Sequence, residues 1–260
     1  LLTLGAVDAI NRAQVIVISC AEYRMLLGSD FLELRPDVRI VLAGDADEEA
    51  VALPSQPGGA PTPVDVDEHC TDLIATVIEA ASQGLEVVRL VSGDPFLDGD
   101  IGAEAAAVAR ADHDVDVIPG VTGMTAVPEY AGLILHGHDV QLIGDAACQR
   151  DIAGHGPDWS DQGLIVVHTS AGKLKEVVKH AVASGRSEDE PAALICHGAT
   201  TQQITHTVTL GALPQTAKTA RLDSAEPVHV AIGKVVEAPD REQLDWYESK
   251  PLFGWNILIP

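Results

Sequence analysis

The sequence predicts an α/β protein in two parts: a first lobe on a parallel sheet and a smaller second lobe on a mixed sheet. Three observations carry this. Short Val- and Ile-rich runs alternate with Ala-rich helical stretches over about the first 130 residues, the pattern of strand–helix–strand units. After Gly132 the texture changes: five apolar runs follow, with helices between only some of them. Aromatics make up 3% of a chain that is 46% apolar, so Val, Ile, Leu and Ala must fill the core, as suits buried sheets covered by Ala-rich helices.

Taken in order, Leu4–Ala13 reads as a helix and Val15–Ile18 as a buried strand. A helix or loop around Glu22–Phe31 leads to a strand at Val38–Leu42. Residues 43–65 mix Gly, Pro and acid and read as a surface loop. Asp65–Gln83 reads as a helix with Leu73, Ile74, Val77, Ile78 and Ala81 on one side. A strand over Leu85–Val91, a helix over Ile101–Ala111, a strand over Val115–Ile118 and a helix over Thr122–Ala131 complete the first part. The lobe boundary is expected near Leu133–His138. Strands are then expected at Val140–Ile143, Leu164–His168, Ala192–Cys196, Thr205–Thr209 and Val228–Val235, and residues 237–251 read as a polar connector. The expected division is 1–135, 136–236 and 237–260. Leu1–Val7 reads as a helix already under way and Trp255–Pro260 as the first strand of something cut off, so a piece of a longer chain is expected.

Net charge is −23, from 39 acidic and 16 basic residues. Such a surface repels phosphate backbones and anionic bilayers, so neither nucleic acid nor membrane is an expected partner. No apolar run reaches the roughly eighteen residues of a membrane span, and no signal peptide is visible. Cys20, Cys70, Cys148 and Cys196 lie far apart with no CxxC pair, which argues against structural zinc or a disulfide framework and for a reducing cytoplasm. His136 and His138 lack further ligands nearby, and no metal is expected.

Three strand ends are punctuated unusually. "VVRLVSGDPFLDGD" stops a strand on Ser92-Gly93-Asp94-Pro95; Gly93 allows close backbone approach, Pro95 fixes the exit, and the Asp94 carboxylate can cap the next turn. Ile118-Pro119-Gly120-Val121-Thr122-Gly123 follows another expected strand, and Thr122 can cap a helix or meet a ligand. Cys196-His197-Gly198-Ala199 follows a strand of the second lobe, with His197 an ordinary partly exposed loop histidine. In open α/β sheets the carboxyl ends of strands form the ligand crevice, yet each turn alone also fits a plain connection. No G-x-G-x-x-G turn, phosphate loop, H-E-x-x-H or G-x-S-x-G motif is present.

Read together, "VVRLVSGDPFL", "VIPGVTGMTAVPEYAGLIL", "GLIVVHTSAGKL", "PAALICHGATTQQITHTVTLGAL" and "PVHVAIGKVV" resemble the tetrapyrrole (precorrin-type) methylases over about residues 1–236. The resemblance implies a two-lobed α/β fold with S-adenosylmethionine folded in the cleft between the lobes. It implies C-methylation of uroporphyrinogen III, with S-adenosylhomocysteine as the spent cofactor, and a homodimer. Carried over residue by residue, Ser92, Gly93 and Asp94 match the family's cofactor loop and Leu97 the apolar residue beside it. Thr122 and Gly123 match its Thr-Ala pair, Thr169 a position often held by Met, and Gly198 the glycine of the second lobe's loop; no catalytic residue is assigned. "WYESKPLFGWNILIP" resembles the linker and first strand of a fused uroporphyrinogen-III synthase domain.

The departures lie where the family presents charge to its substrate. The Gly-rich first loop is absent, and Ser19, Asp45 and Asp100 stand where the family has ionisable or basic groups. Two expectations therefore stay open: an active C-methyltransferase, or a degenerate scaffold that binds cofactor and supports a fused synthase. Arg12 and Arg24 are candidates to receive the substrate's carboxylates.

Overall fold

The computed structural model describes residues 2–20, 23–43, 64–99, 101–144, 159–238 and 242–255. Asp45 and most of the expected 43–65 loop, Asp100, Cys148 and residues 256–260 of the expected terminal strand lie outside them. Contacts divide the chain into two compact units, one ending at Thr122 and the other running Gly123–Trp255.

In the first unit, Thr3 caps helix α1 (Leu4–Arg12) by accepting the Ala6 N–H at 3.3 Å. Strand β1 (Val15–Ile18) is wholly buried, and its four β-branched residues make it the middle of a parallel sheet. Helix α2 (Tyr23–Leu27) leads to β2 (Arg39–Ala43), which pairs with β1 and with the short edge strand β3 (Glu68–Cys70). Helix α3 (Leu73–Ser82), capped by Asp72 on the Ala75 N–H, returns the chain to β4 (Val87–Arg89) on the other side of β1. The sheet order is β3-β2-β1-β4, all parallel, and α4 (Ile101–Arg110) follows. Ile10, Ile16, Ile18, Leu27 and Ile40 form a core on one face, and Val15, Val17, Val41 and Ala80 one on the other.

Two expectations are corrected here. The helix expected from Asp65 begins at Leu73, because residues 68–70 pair with β2 instead. The strand expected at Val115–Ile118 does not form: these residues join no sheet, and Val115 and Ile118 are exposed.

The second unit opens with α5 (Gly123–Tyr130) and builds a mixed sheet from β5 (Val140–Ile143), β6 (Leu164–Ser170), β7 (Pro191–Cys196), β8 (Ile204–Thr209) and β9 (Pro227–Ile232). The order is β5-β6-β9-β7-β8, with β5 and β6 parallel and the other pairs antiparallel. One face carries α6 (Leu174–Ala183) and α7 (Leu213–Thr219) over Ile165, Val167, Leu194 and Val230. The other carries α5, whose Met124 and Val127 pack on Val166, Ile195 and Ala231. The strand expected to reach Val235 ends at Ile232: Gly233, at φ 144°, turns the chain into the helical turn Lys234–Glu237. The polar stretch Glu242–Trp255 is packed against this unit.

Candidate functional site

In the first unit the two turns singled out in the sequence, of which only the first follows a strand, are joined by a carboxylate. After β4 the chain turns at Gly93, φ +67°, and Asp94 caps the next turn: its Oδ1 accepts the N–H groups of Phe96 (3.0 Å) and Leu97 (3.1 Å). Asp98 folds back to accept the Asp94 N–H on Oδ2 at 2.6 Å and the Thr122 hydroxyl on Oδ1 at 2.9 Å. The second turn also closes on the first. A Cβ on Gly120 would lie 1.9 Å from the Gly93 carbonyl oxygen, and one on Gly93 would lie 1.9 Å from Asp98 Oδ2. Both positions therefore need glycine for the protein's own packing. Beside them Phe96 and Leu97 are exposed, 63% and 45%. The fold thus gathers Ser92, Gly93, Asp94, Leu97 and Thr122 into one cluster. The residue that ties it, Asp98, was visible as an acid in the loop, but its partners were not.

In the second unit Gly123 opens α5 and Gly198 packs against the same helix. A Cβ on Gly123 would lie 2.9 Å from His229 Nε2. His229 pairs across the ladder with His168, the rings stacked 4.6 Å apart at 14°, and burial first and His168 second push it down to about 3, so it is neutral. Its Nε2 is buried without a hydrogen-bond partner. Gly198 sits after β7 between His197 (φ +49°) and Ala199 (φ +59°), both in the left-handed region that costs a non-glycine residue energy. A Cβ on Gly198 would lie 2.4 Å from Val127 Cγ1. His197 is exposed as expected, and its Nε2 lies 3.0 Å from Glu226 Oε1, off hydrogen-bond geometry. Thr169 is 2% exposed, and strand alternation places its side chain on the face of α6 rather than of α5. Gln203, 1% exposed, accepts the Ala199 N–H at 2.7 Å on Oε1; nothing in the local sequence marks it.

The two arginines considered as anion receivers are otherwise engaged. Arg12 donates to Asp8 (3.1 Å) and Glu86 (2.8 Å), and Glu86 precedes β4, at the amino end of the sheet, away from the Ser92–Asp94 turn. Arg24 donates to the Val64 carbonyl at 2.7 Å and lies 3.8 Å from Asp65. Among the described residues no group of three or more His, Cys, Asp or Glu is placed to hold a metal ion. No helix among them is long and apolar enough to cross a membrane.

The family profile of the tetrapyrrole (corrin/porphyrin) methylases matches residues 1–214. The chain belongs to that family. A uroporphyrinogen-III C-methyltransferase of Sinorhizobium sp is 31% identical over 254 residues, 95% of this chain and 82% of that protein. Siroheme synthase 1 of Serratia proteamaculans is 30% identical over 259 residues, 96% of this chain but 48% of that protein, so the chain spans about half of that longer relative. The fold agrees: a uroporphyrin-III C-methyl transferase from Thermus thermophilus, complexed with S-adenyl homocysteine, superposes with a TM-score of 0.58 at 19% identity, covering 90% of this chain and 92% of that one. The parallel sheet of the first unit and the mixed sheet of the second are those of a tetrapyrrole methylase.

Proposed function

We propose that this tetrapyrrole methylase transfers methyl groups from S-adenosylmethionine to carbon atoms of uroporphyrinogen III. The likeness to the Sinorhizobium C-methyltransferase along 95% of this chain and 82% of that one carries the reading, and it supports an active enzyme over a cofactor-binding scaffold. The cluster suits the cofactor: Gly93 and Gly120 let the two turns close on each other, and the exposed Phe96 and Leu97 beside them offer apolar surface to a ligand.

S-adenosylmethionine, when bound, supplies a methyl group activated by a positively charged sulfur. Transfer forms a carbon–carbon bond and breaks the carbon–sulfur bond; the pyrrole carbon that is methylated carries a side chain and no hydrogen, so the balancing proton leaves from a pyrrole N–H or a bridging methylene of the macrocycle. In this reading Ser92, Gly93, Asp94, Leu97 and Thr122 in the first unit, and Gly123, Thr169 and Gly198 in the second, touch the cofactor. Asp98 holds the first set in shape. Phe96 and Leu97 exclude water, and positioning with water exclusion is most of what such a displacement needs. A neutral His229 adds no positive charge to oppose the sulfonium, and the net charge of −23 attracts it.

The test is anaerobic incubation with S-adenosylmethionine and uroporphyrinogen III, with methylation read by mass spectrometry. Methylated product that disappears in the Gly93→Val variant supports the reading; bound cofactor with no methylation at any salt concentration restores the scaffold reading. The same reading takes the two lobes, expected as 1–135 and 136–236 and divided by contacts at Thr122–Gly123, as the cofactor-holding lobes of a cytoplasmic homodimer, with 237–260 leading to a fused uroporphyrinogen-III synthase domain. A sedimenting monomer at tens of micromolar, on the order of assay concentrations, would remove the dimer.

A further inference from the structure

The stretch Glu242–Trp255 is fastened to the second unit by more than its polar composition suggests. A Cβ on Gly132 (φ +72°) would lie 2.5 Å from the Leu244 carbonyl oxygen, so backbone meets backbone there. Trp246 donates from Nε1 to the Glu129 carbonyl at 3.2 Å, and its ring lies 5.2 Å from that of Tyr130. Tyr247 packs edge-on against Tyr130 at 4.5 Å and against Phe253 at 5.1 Å, and Lys250 Nζ lies 4.8 and 4.9 Å from the Trp246 and Tyr247 rings. The chain has only three Trp, three Tyr and three Phe, and four of these nine meet here. So concentrated a use of scarce aromatics marks a docked strap.

From the strap, Glu248 reaches into the β7–β8 connection. Its Oε1 accepts from Gln203 Nε2 at 2.9 Å and from the Thr205 hydroxyl, and its Oε2 accepts the Thr205 N–H at 3.1 Å. Gln203 is an amide with two ends, and a carboxylate that only accepts fixes which end faces it. Its NH₂ must point to Glu248, which leaves Oε1 for the Ala199 N–H. The left-handed residues His197 and Ala199, flanking Gly198, are thus held by a chain of polar contacts that ends 45 residues beyond Gln203. The loop's own bonds, from the Thr200 N–H and hydroxyl to the His197 carbonyl, close the turn but leave the Ala199 N–H to Gln203.

We infer that Glu248 is a positioning residue for the cofactor: through Gln203 it holds the His197–Ala199 loop in the conformation that receives S-adenosylmethionine. This rests on the reading that Gly198 touches the cofactor. Without the carboxylate the Gln203 amide is free to turn over, and the strained loop loses the acceptor that holds it. An unpaired buried polar group is costly enough to drive such a rearrangement.

The experiment measures S-adenosylhomocysteine affinity by calorimetry, and Michaelis constants for both substrates, in the wild-type chain and in Glu248→Ala, Glu248→Gln, Gln203→Ala, the Glu248→Ala/Gln203→Ala double variant and Lys250→Ala. Glu248→Ala and Gln203→Ala should each weaken binding by about tenfold or more, and the double variant should be no weaker than the worse single, because the two act in series. Glu248→Gln keeps one carbonyl acceptor and should recover most of the affinity, so the test survives poor folding of the alanine variant. The Michaelis constant for S-adenosylmethionine should rise while that for the tetrapyrrole stays level. Lys250→Ala, which loosens the strap without touching the relay, should lower thermal stability and leave affinity within about twofold. Unchanged affinity in both Glu248 variants, or additive losses in the double variant, overturns the inference. No binding by the wild-type chain overturns the cofactor reading beneath it.

Discussion

Replacing Gly198 by Ala tests the packing of the second unit's loop against α5. The new Cβ would lie 2.4, 2.5 and 3.0 Å from Cγ1, Cγ2 and Cβ of Val127. Carbon atoms settle at about 3.5–4.0 Å, so Val127 or the loop must retreat by about 1 Å. Neither moves freely: Val127 is 4% exposed in a core with Met124, Val166 and Ile195, and Ala199 is tied to Gln203. Overpacking costs about 1–3 kcal/mol, and two contacts this short place Gly198→Ala at the upper end, about 2–3 kcal/mol. Val127→Ala removes both Cγ atoms and should cost about 1–2 kcal/mol by itself. Combined, they should cost little more than Val127→Ala alone, a coupling of about 2 kcal/mol. Urea unfolding followed by tryptophan fluorescence suits the measurement, because Trp159, Trp246 and Trp255 all fall in the Gly123–Trp255 unit. Gly198→Ala within about 0.5 kcal/mol of wild type, or a double variant that sums the singles, would refute the reasoning.

Three further outcomes are expected. Gly93→Ala strains a φ of +67° and drives its Cβ into Asp98, so S-adenosylhomocysteine affinity should fall by tenfold or more, on the order of one lost hydrogen bond to a charged group; unchanged calorimetric affinity would remove this turn from the site. His229 binds a proton at about 3 when folded against 6.5 ordinarily, so its contribution to stability is complete above about pH 6.5 and is lost as pH falls towards about 3. Between about pH 6 and 5 the slope from this group approaches 1.4 kcal/mol per pH unit, and a His229→Gln variant with an equally steep decline would show that the histidine is not its source. With a net charge of −23 and both Arg12 and Arg24 engaged, uroporphyrinogen should bind more tightly as salt screens the repulsion; a Michaelis constant that rises with salt would instead point to local cationic contacts.

The sequence was most legible where one residue type decides a position. Val15–Ile18 could only be a buried strand, and Ser92-Gly93-Asp94-Pro95 could only be a turn. Reading failed where pairing decides. Glu68-His69-Cys70 has no apolar alternation, yet it forms an edge strand because β2 offers an open parallel neighbour. Val115–Ile118 has β-branched residues, but acids alternate with its valines, and it stays out of the sheet although β4 is an edge strand. The turns at Gly93 and Gly198 were visible as punctuation, but their fastenings were not. Asp98 to Thr122 spans 24 residues and Gln203 to Glu248 spans 45, and no local pattern announces either. Trp246 and Tyr247 read as part of a connector because their partners lie far back in the chain, at Glu129 and Tyr130.

The strand order of the second sheet also governs how this protein can be made. The four described strands of the first sheet have all left the ribosome once β4 has, since they precede residue 90. The second sheet is still open then: β9, the last of the described strands, lies between β6 and β7, which share no hydrogen bonds of their own. Until Pro227–Ile232 emerges, two apolar strands wait with open edges, a template for aggregation rather than folding. Fragments that stop short of β9 should therefore accumulate as insoluble material. Expression that slows elongation after β7 lengthens the vulnerable interval, and chaperone supply during that interval should set the yield of native protein.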